Sequence, residues 1–156
     1  MNSSHLPDDK LSSLIVTIFR ANGALIAAGD DLVADLRLTS SRWQVLGTVA
    51  QSPMPLAVAS IARNIGLTRQ GVRAIVKELI EADMVRLEVN PHHRRSQLVV
   101  LTPLGEQVSA EALTRQRPWA QSLFRDISPA RIADATDLLH RLMERLAAGR
   151  NEGTGS

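Results

Sequence analysis

Apolar residues recur every three to four positions along much of the chain, and the longest such stretch lies near the N-terminus. It spans residues 11–36 and predicts one long helix with a wide apolar stripe. Gly23, Gly29 and the pair Asp30–Asp31 weaken this helix and leave room for a bend near Gly29. Cap-forming residues at 38–41 predict a second helix over 40–51, which the Pro-Met-Pro sequence at 53–55 ends.

The stretch 58–102 has the pattern of a helix, a tight turn, a second helix and a two-stranded hairpin. Apolar residues fall on one side of a helix over 58–65, where the small Ala62 lets the next helix cross closely. Gly66 suits the left-handed backbone that a short turn between crossed helices needs. Thr68 is a candidate N-cap of the second helix. An alternating strand over 85–89 and a returning strand over 97–102 complete a winged helix-turn-helix.

Two more helices are predicted after the hairpin, and each begins with a hydroxyl residue followed by proline. The first runs from Pro103 to about Arg125, and Pro118 is expected to kink or interrupt it. The second runs from Pro129 to about Ala148, and residues 149–156 are expected to form a flexible tail. The predicted fold class is mainly α with a small β-hairpin wing, made of six helices and two to three short strands.

The apolar faces of the first helix and of the last two helices exceed what a small domain over 37–102 could cover. A two-fold dimer buries all three faces most economically, so residues 1–36 and 103–148 are predicted to form a helical dimerisation region. Two paired reading helices about one duplex turn apart would recognise a palindrome. The candidate dimer contacts are Leu11, Leu14, Ile15, Ile18, Ile132, Leu139, Leu142 and Leu146.

Positive charge is concentrated on the second helix of the winged unit and on the hairpin loop. No acid lies between Thr68 and Lys77, and the loop over 90–96 carries two adjacent arginines. The N-terminal half of such a helix can read base edges in the major groove, and a wing arginine can enter a narrow minor groove. The candidate DNA-binding residues are Ser41, Thr68, Arg69, Gln70, Arg73, Lys77, Arg94 and Arg95.

Composition narrows the function classes further. The 156-residue chain is about one domain in size, and its net charge of +2 is too small to make the whole surface a polyanion binder. It has no cysteine, which excludes disulfides, thiolate zinc sites and thiol redox sensing. No apolar run approaches the length of a membrane span and no signal pattern is present, so a cytoplasmic location is expected. The spacing of the four histidines and the acids indicates no metal site, cofactor or enzyme active site.

The order and spacing of these elements resemble the MarR family of bacterial transcriptional regulators. The resemblance spans residues 10–148 and rests on Leu38-Thr39, Trp43, Val45, Leu46, Ile61-Ala62, Leu67-Thr68-Arg69, Val72, Leu79, Val85, Asn90-Pro91, Arg94-Arg95, Val99-Val100-Leu101-Thr102 and Gly105.

The resemblance implies a homodimer whose first and last helices form the dimer layer, and a repressor that binds palindromic promoter sites. It also implies release from DNA by a small phenolic or aromatic acid held between the dimer layer and the reading domain. The family's wing arginine falls on Arg95, with Arg94 beside it. His93 stands where family wings usually carry an aspartate that ties the wing to neighbouring structure, which puts the rigidity of this wing in question.

Two other functions remain open from the sequence. A winged helix can bind protein instead of DNA, although such a module has no need of four grouped arginines. The chain could also bind DNA constitutively, without any effector. A cavity lined by Phe19 and Trp43 could take an aromatic ligand, but both residues would serve equally well in a core.

Overall fold

Six helices and one small antiparallel sheet make up residues 8–152, the part of the chain that the computed structural model describes. This architecture confirms the predicted fold class. The helices are α1 (Asp8–Val33), α2 (Ser40–Gln51), α3 (Val58–Ile65), α4 (Arg69–Glu81), α5 (Pro103–Leu123) and α6 (Pro129–Glu152), and the strands are β1 (Leu56–Ala57), β2 (Val85–Glu88) and β3 (Leu98–Leu101).

The helix-turn-helix is formed by α3 and α4, and local signals set its boundaries. Gly66 ends α3 with a φ of 72°, in the left-handed region where glycine carries no side-chain penalty. Thr68 caps α4 by accepting a hydrogen bond from the Gly71 amide at 3.0 Å. These contacts fix the short connection that directs α4 across α3.

The sheet has the strand order β1–β3–β2, with both pairs antiparallel. Strands β2 and β3 form the wing hairpin, in which Val85 pairs with Leu101 and Glu88 with Leu98. Strand β1 adds a third, two-residue strand immediately before α3, pairing Leu56 with Val99. The sheet therefore ties the start of the helix-turn-helix to the base of the wing.

The hydrophobic core lies among α2, α3, α4 and the sheet. Val72, Val76 and Leu79 point into it from α4, so the opposite side of that helix faces outward. The remaining buried apolar members are Val33, Leu38, Val45, Leu46, Val49, Ile61, Ala62, Met84, Val85, Val99 and Ala112.

The start of α5 is attached directly to the turn that follows α4. The Thr102 amide donates to the Met84 carbonyl at 3.1 Å, and its hydroxyl donates to the Asp83 carbonyl at 2.5 Å. The same hydroxyl caps α5 by accepting from the Gly105 amide at 3.0 Å. A side chain at Gly105 would overlap the Met84 carbonyl, so only glycine allows this approach. We call this contact the α4–α5 joint.

The end of α1 is held by α2 and α5. The buried Ser40 hydroxyl donates to the Ile26 carbonyl at 2.7 Å, in the space that Gly29 leaves free.

Beyond α1, the chain forms a 3-10 turn at Ala34–Leu36. Arg115 of α5 is paired there with Asp35, and at 3.0 Å with Glu111 on its own helix. The Arg115 guanidinium lowers the pKa of the Asp35 carboxyl by hydrogen bonding and by charge.

Two expectations about the outer helices need correction. Helix α5 is not interrupted at Pro118, because a proline costs one backbone hydrogen bond but need not end a long helix. A kink at Pro118, the other expected effect, stays a prediction. Helix α6 continues to Glu152, so residues 149–152 are helical rather than part of a flexible tail, because the single Gly149 costs only about 1 kcal/mol and does not end the helix. Residues 153–156 of that predicted tail lie outside the described residues.

The chain divides into two compact units, the first ending at Arg117 and the second starting at Pro118. Helix α1 packs on α2, and the first part of α5 contributes to the core. The predicted division into a dimerisation region and a DNA-binding domain, with boundaries at 36/37 and 102/103, stays a prediction. The second unit contains the end of α5 and α6.

Helix α1 is long and apolar enough to cross a membrane, contrary to the sequence-based expectation. An 18-residue window within Asp9–Leu36 has a mean hydropathy of 1.6. Alanines between the larger apolar residues keep the mean hydropathy of this window high, whereas glycines lower it. Apolar helices of soluble proteins meet the same criterion, so length and composition alone do not place α1 in a membrane.

Candidate nucleic-acid interface

The outward side of α4 is positively charged. Arg69, Arg73 and Lys77 follow one another at four-residue spacing, which places them on one side of the helix, and all three are exposed. The burial of Val72 and Val76 on the other side fixes this orientation. The core-facing stripe of α4 therefore determines where its cations point.

The wing loop is held by its own hydrogen bonds. Asn90 is buried, and its side-chain oxygen accepts from the His92 amide at 3.0 Å. The His93 amide donates to the Asn90 carbonyl at 3.3 Å, and the His93 carbonyl accepts from the Ser96 amide at 3.0 Å. Such an Asx turn orders the loop locally. His93 thus takes part in the wing through its backbone amide and carbonyl.

Helix α4 and the wing face a common depression of about 530 Å³, which we call the wing groove. Four cationic side chains line it, three from α4 and one from the wing: Arg69, Arg73, Lys77 and Arg95. The other lining residues are Val58, Ala59, Val76, Ile80, Leu87, Ser96 and Gln97, none of which was a sequence-based candidate. The two basic segments that are separate in sequence are therefore brought together by the fold.

The positive charge in the wing groove is largely unbalanced. Among the described residues, Arg69, Arg73 and Arg95 take part in no ion pair. Lys77 lies 4.0 Å from Glu81, a distance at which an exposed pair contributes little. A cluster of unpaired guanidinium groups beside an open groove is suited to bind phosphate oxygens and guanine edges.

The other predicted DNA-binding residues lie outside the lining of this groove. Ser41 is exposed near the start of α2, and Gln70 is exposed on α4. Thr68 uses its hydroxyl to cap α4. Arg94 is exposed at the wing tip. Contact of these four with DNA stays a prediction.

A second candidate site is a depression around Trp43, between α2 and α5. It consists of two neighbouring cavities of about 300 and 210 Å³, and we call it the Trp43 groove. It is lined by Trp43, Gln44, Gly47, Thr48, Ala50, Gln51, Ile65, Leu101, Glu106, Ser109, Ala110, Leu113 and Gln116. Phe19, the other predicted effector residue, is 70% exposed on α1 and lines neither cavity.

Comparisons with known proteins point to one family. The model of the MarR family matches residues 38–96. An uncharacterized protein of Mycobacterium tuberculosis is 34% identical over 143 residues, which cover 91% of this chain and 98% of that protein. The transcriptional activatory protein BadR of Rhodopseudomonas palustris is 24% identical, covering 93% of this chain and 83% of BadR.

Solved structures share the fold. The crystal structure of CouR from Rhodococcus jostii RHA1, bound to p-coumaroyl-CoA, aligns with a TM-score of 0.75 at 21% identity. The alignment covers 89% of this chain and 95% of CouR.

Proposed function

Because the chain belongs to the MarR family of DNA-binding transcription regulators, we propose that it binds a palindromic operator as a homodimer and represses transcription. Its relatives indicate a regulator rather than an enzyme. Helix α4 would lie in the major groove, and the wing would follow the adjacent minor groove.

The observation that carries this proposal is the convergence of Arg69, Arg73, Lys77 and Arg95 on the wing groove. Duplex DNA carries phosphates on both strands. A protein therefore gains affinity when cationic side chains of two of its elements, here α4 and the wing, face the same duplex. A protein-binding winged helix would not require four cations around one groove. Arg73, in the second turn of α4, is our candidate for a base contact, and Arg95 for the minor groove.

Exposed apolar side chains support the homodimer. On α1, Leu11, Leu14 and Ile15 are 40–50% exposed. In the second unit, Leu139 and Leu146 of α6 are 41% and 59% exposed. Ile18, Ile132 and Leu142 are half-buried. A helix that exposes several large apolar side chains, as α1 and α6 each do, is typical of a face that another subunit covers.

Selection of binding sites from a random duplex library tests the operator proposal. We expect enriched sequences with two inverted half-sites whose centres lie about 10 base pairs apart. The mass of the protein–DNA complex in sedimentation should equal two chains on one duplex. An asymmetric selected site, bound by a single chain, would contradict binding to DNA as a homodimer.

The direction of control can be tested in the same system. Placing the selected operator over a promoter in a transcription assay should lower transcript yield when the protein is added. Higher yield would instead make the protein an activator, the role printed in the name of its relative BadR.

We also propose that a small aromatic ligand in the Trp43 groove releases the protein from DNA. Two features support this: Trp43 lines both cavities, and the structural neighbour CouR was solved bound to p-coumaroyl-CoA. Ligand-induced stabilisation in a melting assay, with operator release as the second readout, tests it. A broad panel of aromatic compounds that neither stabilises the protein nor releases DNA would favour a constitutive binder.

A further inference from the structure

The polar lining of the Trp43 groove sets the charge of the ligand it can accept. Its polar side chains are Gln44, Gln51 and Gln116, the hydroxyls of Thr48 and Ser109, and one ionisable group, the carboxylate of Glu106. The amides and hydroxyls can donate or accept hydrogen bonds, so they impose no charge preference. The single formal charge in the lining is therefore negative.

No arginine, lysine or histidine lines this groove among the described residues. Arg115 precedes the lining residue Gln116, but its guanidinium is held by Asp35, by Glu111 and by the Leu32 carbonyl at 3.4 Å. It is thus engaged with the end of α1. A ligand carboxylate in the groove would meet a carboxylate and no compensating cation, which disfavours binding.

A cation would meet two favourable partners in the same cavity. Glu106, in the first turn of α5, supplies the opposite charge. Trp43 supplies the aromatic face that attracts cations best. The larger cavity, at about 300 Å³, exceeds the roughly 150 Å³ that suffices for a benzene ring.

We propose that the Trp43 groove binds a small organic cation, an aromatic or alkyl amine or amidine, rather than an aromatic acid. The inference rests on the proposed effector role of this groove and specifies its ligand class. The ring of the ligand lies among Trp43, Leu101 and Leu113, and its cationic nitrogen faces Glu106.

The groove is placed to affect the DNA-reading helix. Glu106 directly follows Gly105, whose backbone packs on Met84 in the α4–α5 joint. A ligand that displaces the first turn of α5 would therefore act on the turn that ends α4. We expect ligand binding and duplex affinity to be coupled through this contact.

Benzamidinium and benzoate are the probes for the experiment, since they have similar size and opposite charge. Calorimetric titration of the full chain should give benzamidinium roughly tenfold tighter binding than benzoate, the combined effect expected of an exposed ion pair and a cation–π contact. Glu106→Gln should reduce that ratio severalfold. Glu144→Gln, an exposed acid on α6 that does not line the groove, makes the same change in net charge and should leave the ratio unchanged.

Benzoate binding as tightly as benzamidinium would overturn the proposal. So would a ratio that Glu106→Gln leaves unchanged, or the absence of binding by either probe at millimolar concentration. Binding of the chain to duplex DNA is measured in parallel without any probe. If no duplex binds, the proposed DNA-binding function is refuted, whereas the ligand class is still decided by the calorimetric titration.

Discussion

Replacing Gly105 with alanine tests the α4–α5 joint. The new Cβ would overlap the Met84 carbonyl oxygen and lie 2.9 Å from the carbonyl carbon and 3.3 Å from Cα of Met84. All three are backbone atoms, so no side-chain rotation can relieve the overlap. The start of α5 must instead move away from the turn, which weakens the Thr102 hydrogen bonds to Met84 and Asp83.

The expected cost follows from these two effects. Overpacking a tight contact costs about 1–3 kcal/mol, and two weakened hydrogen bonds add about 1 kcal/mol each. The better helix propensity of alanine returns roughly 1 kcal/mol. We therefore expect Gly105→Ala to lower the free energy of unfolding by about 3 kcal/mol, which corresponds to a fall in Tm of about 6–12 °C for a chain of this length.

Urea denaturation followed by circular dichroism, with thermal melting as a second probe, measures this change. All variants are compared at one protein concentration, since dimerisation makes stability concentration-dependent. Gly149→Ala is the matched control, because nothing lies within 4 Å of a Cβ built there. A Gly105→Ala protein as stable as the control would refute the steric reasoning.

Four further outcomes are expected. Because Arg115 lowers the pKa of Asp35, the ion pair stabilises the fold above the ordinary carboxyl pKa and loses that effect as pH falls below about 4. The free energy of unfolding should therefore fall less steeply with decreasing pH for Asp35→Asn than for the unaltered chain. Gly66→Ala should lower the free energy of unfolding by about 1–2 kcal/mol, and Gly66→Asn by less, in urea melts. Arg73→Ala should cost about 1–3 kcal/mol on the selected operator and less on random DNA, whereas equal losses would make it a phosphate contact. Arg95→Ala should weaken binding most when A·T-rich sequence flanks the operator, and equal weakening on all flanks would exclude minor-groove insertion.

Local sequence signals made the helix boundaries and the charged side of the DNA-binding region predictable. The bounds predicted for α2 and α3 agree with the structure, because a capping hydroxyl, a proline break and Gly66 mark them in the sequence. The cationic side of α4 was predictable for a related reason: a helix with three buried apolar residues on one side must present its arginines on the other.

Contacts between distant segments were not predictable in this way. That Arg95 would share a groove with Arg73 depends on how the sheet places the wing beside α4. Ser96 and Gln97 carry no charge or periodic signal that could have identified them as lining residues. In the sequence, Glu106 is an ordinary acid in the first turn of a helix. Its place in the lining of the Trp43 groove depends on how α5 packs on α2.

The continuity of α5 and the position of Phe19 were not predictable from residue type. Pro118 removes one amide donor, yet the backbone on both sides keeps its helical bonds and α5 continues. Phe19 and Trp43 lie on different helices, and Phe19 lines neither cavity of the Trp43 groove. Contact of Phe19 with an effector stays a prediction. Side-chain type alone could not give that geometry.

The salt dependence of binding to a long duplex tests the central claim most directly. Replacing Arg69, Arg73 and Arg95 together with glutamine should reduce the slope of log affinity against log salt by up to about 2.7, since each phosphate contact contributes roughly 0.9. The matched control replaces Arg125, Arg131 and Arg145, which are exposed and lie outside the wing groove. We predict a reduced slope for the groove variant and an unchanged slope for the control; equal slopes in both variants would contradict DNA binding through this groove.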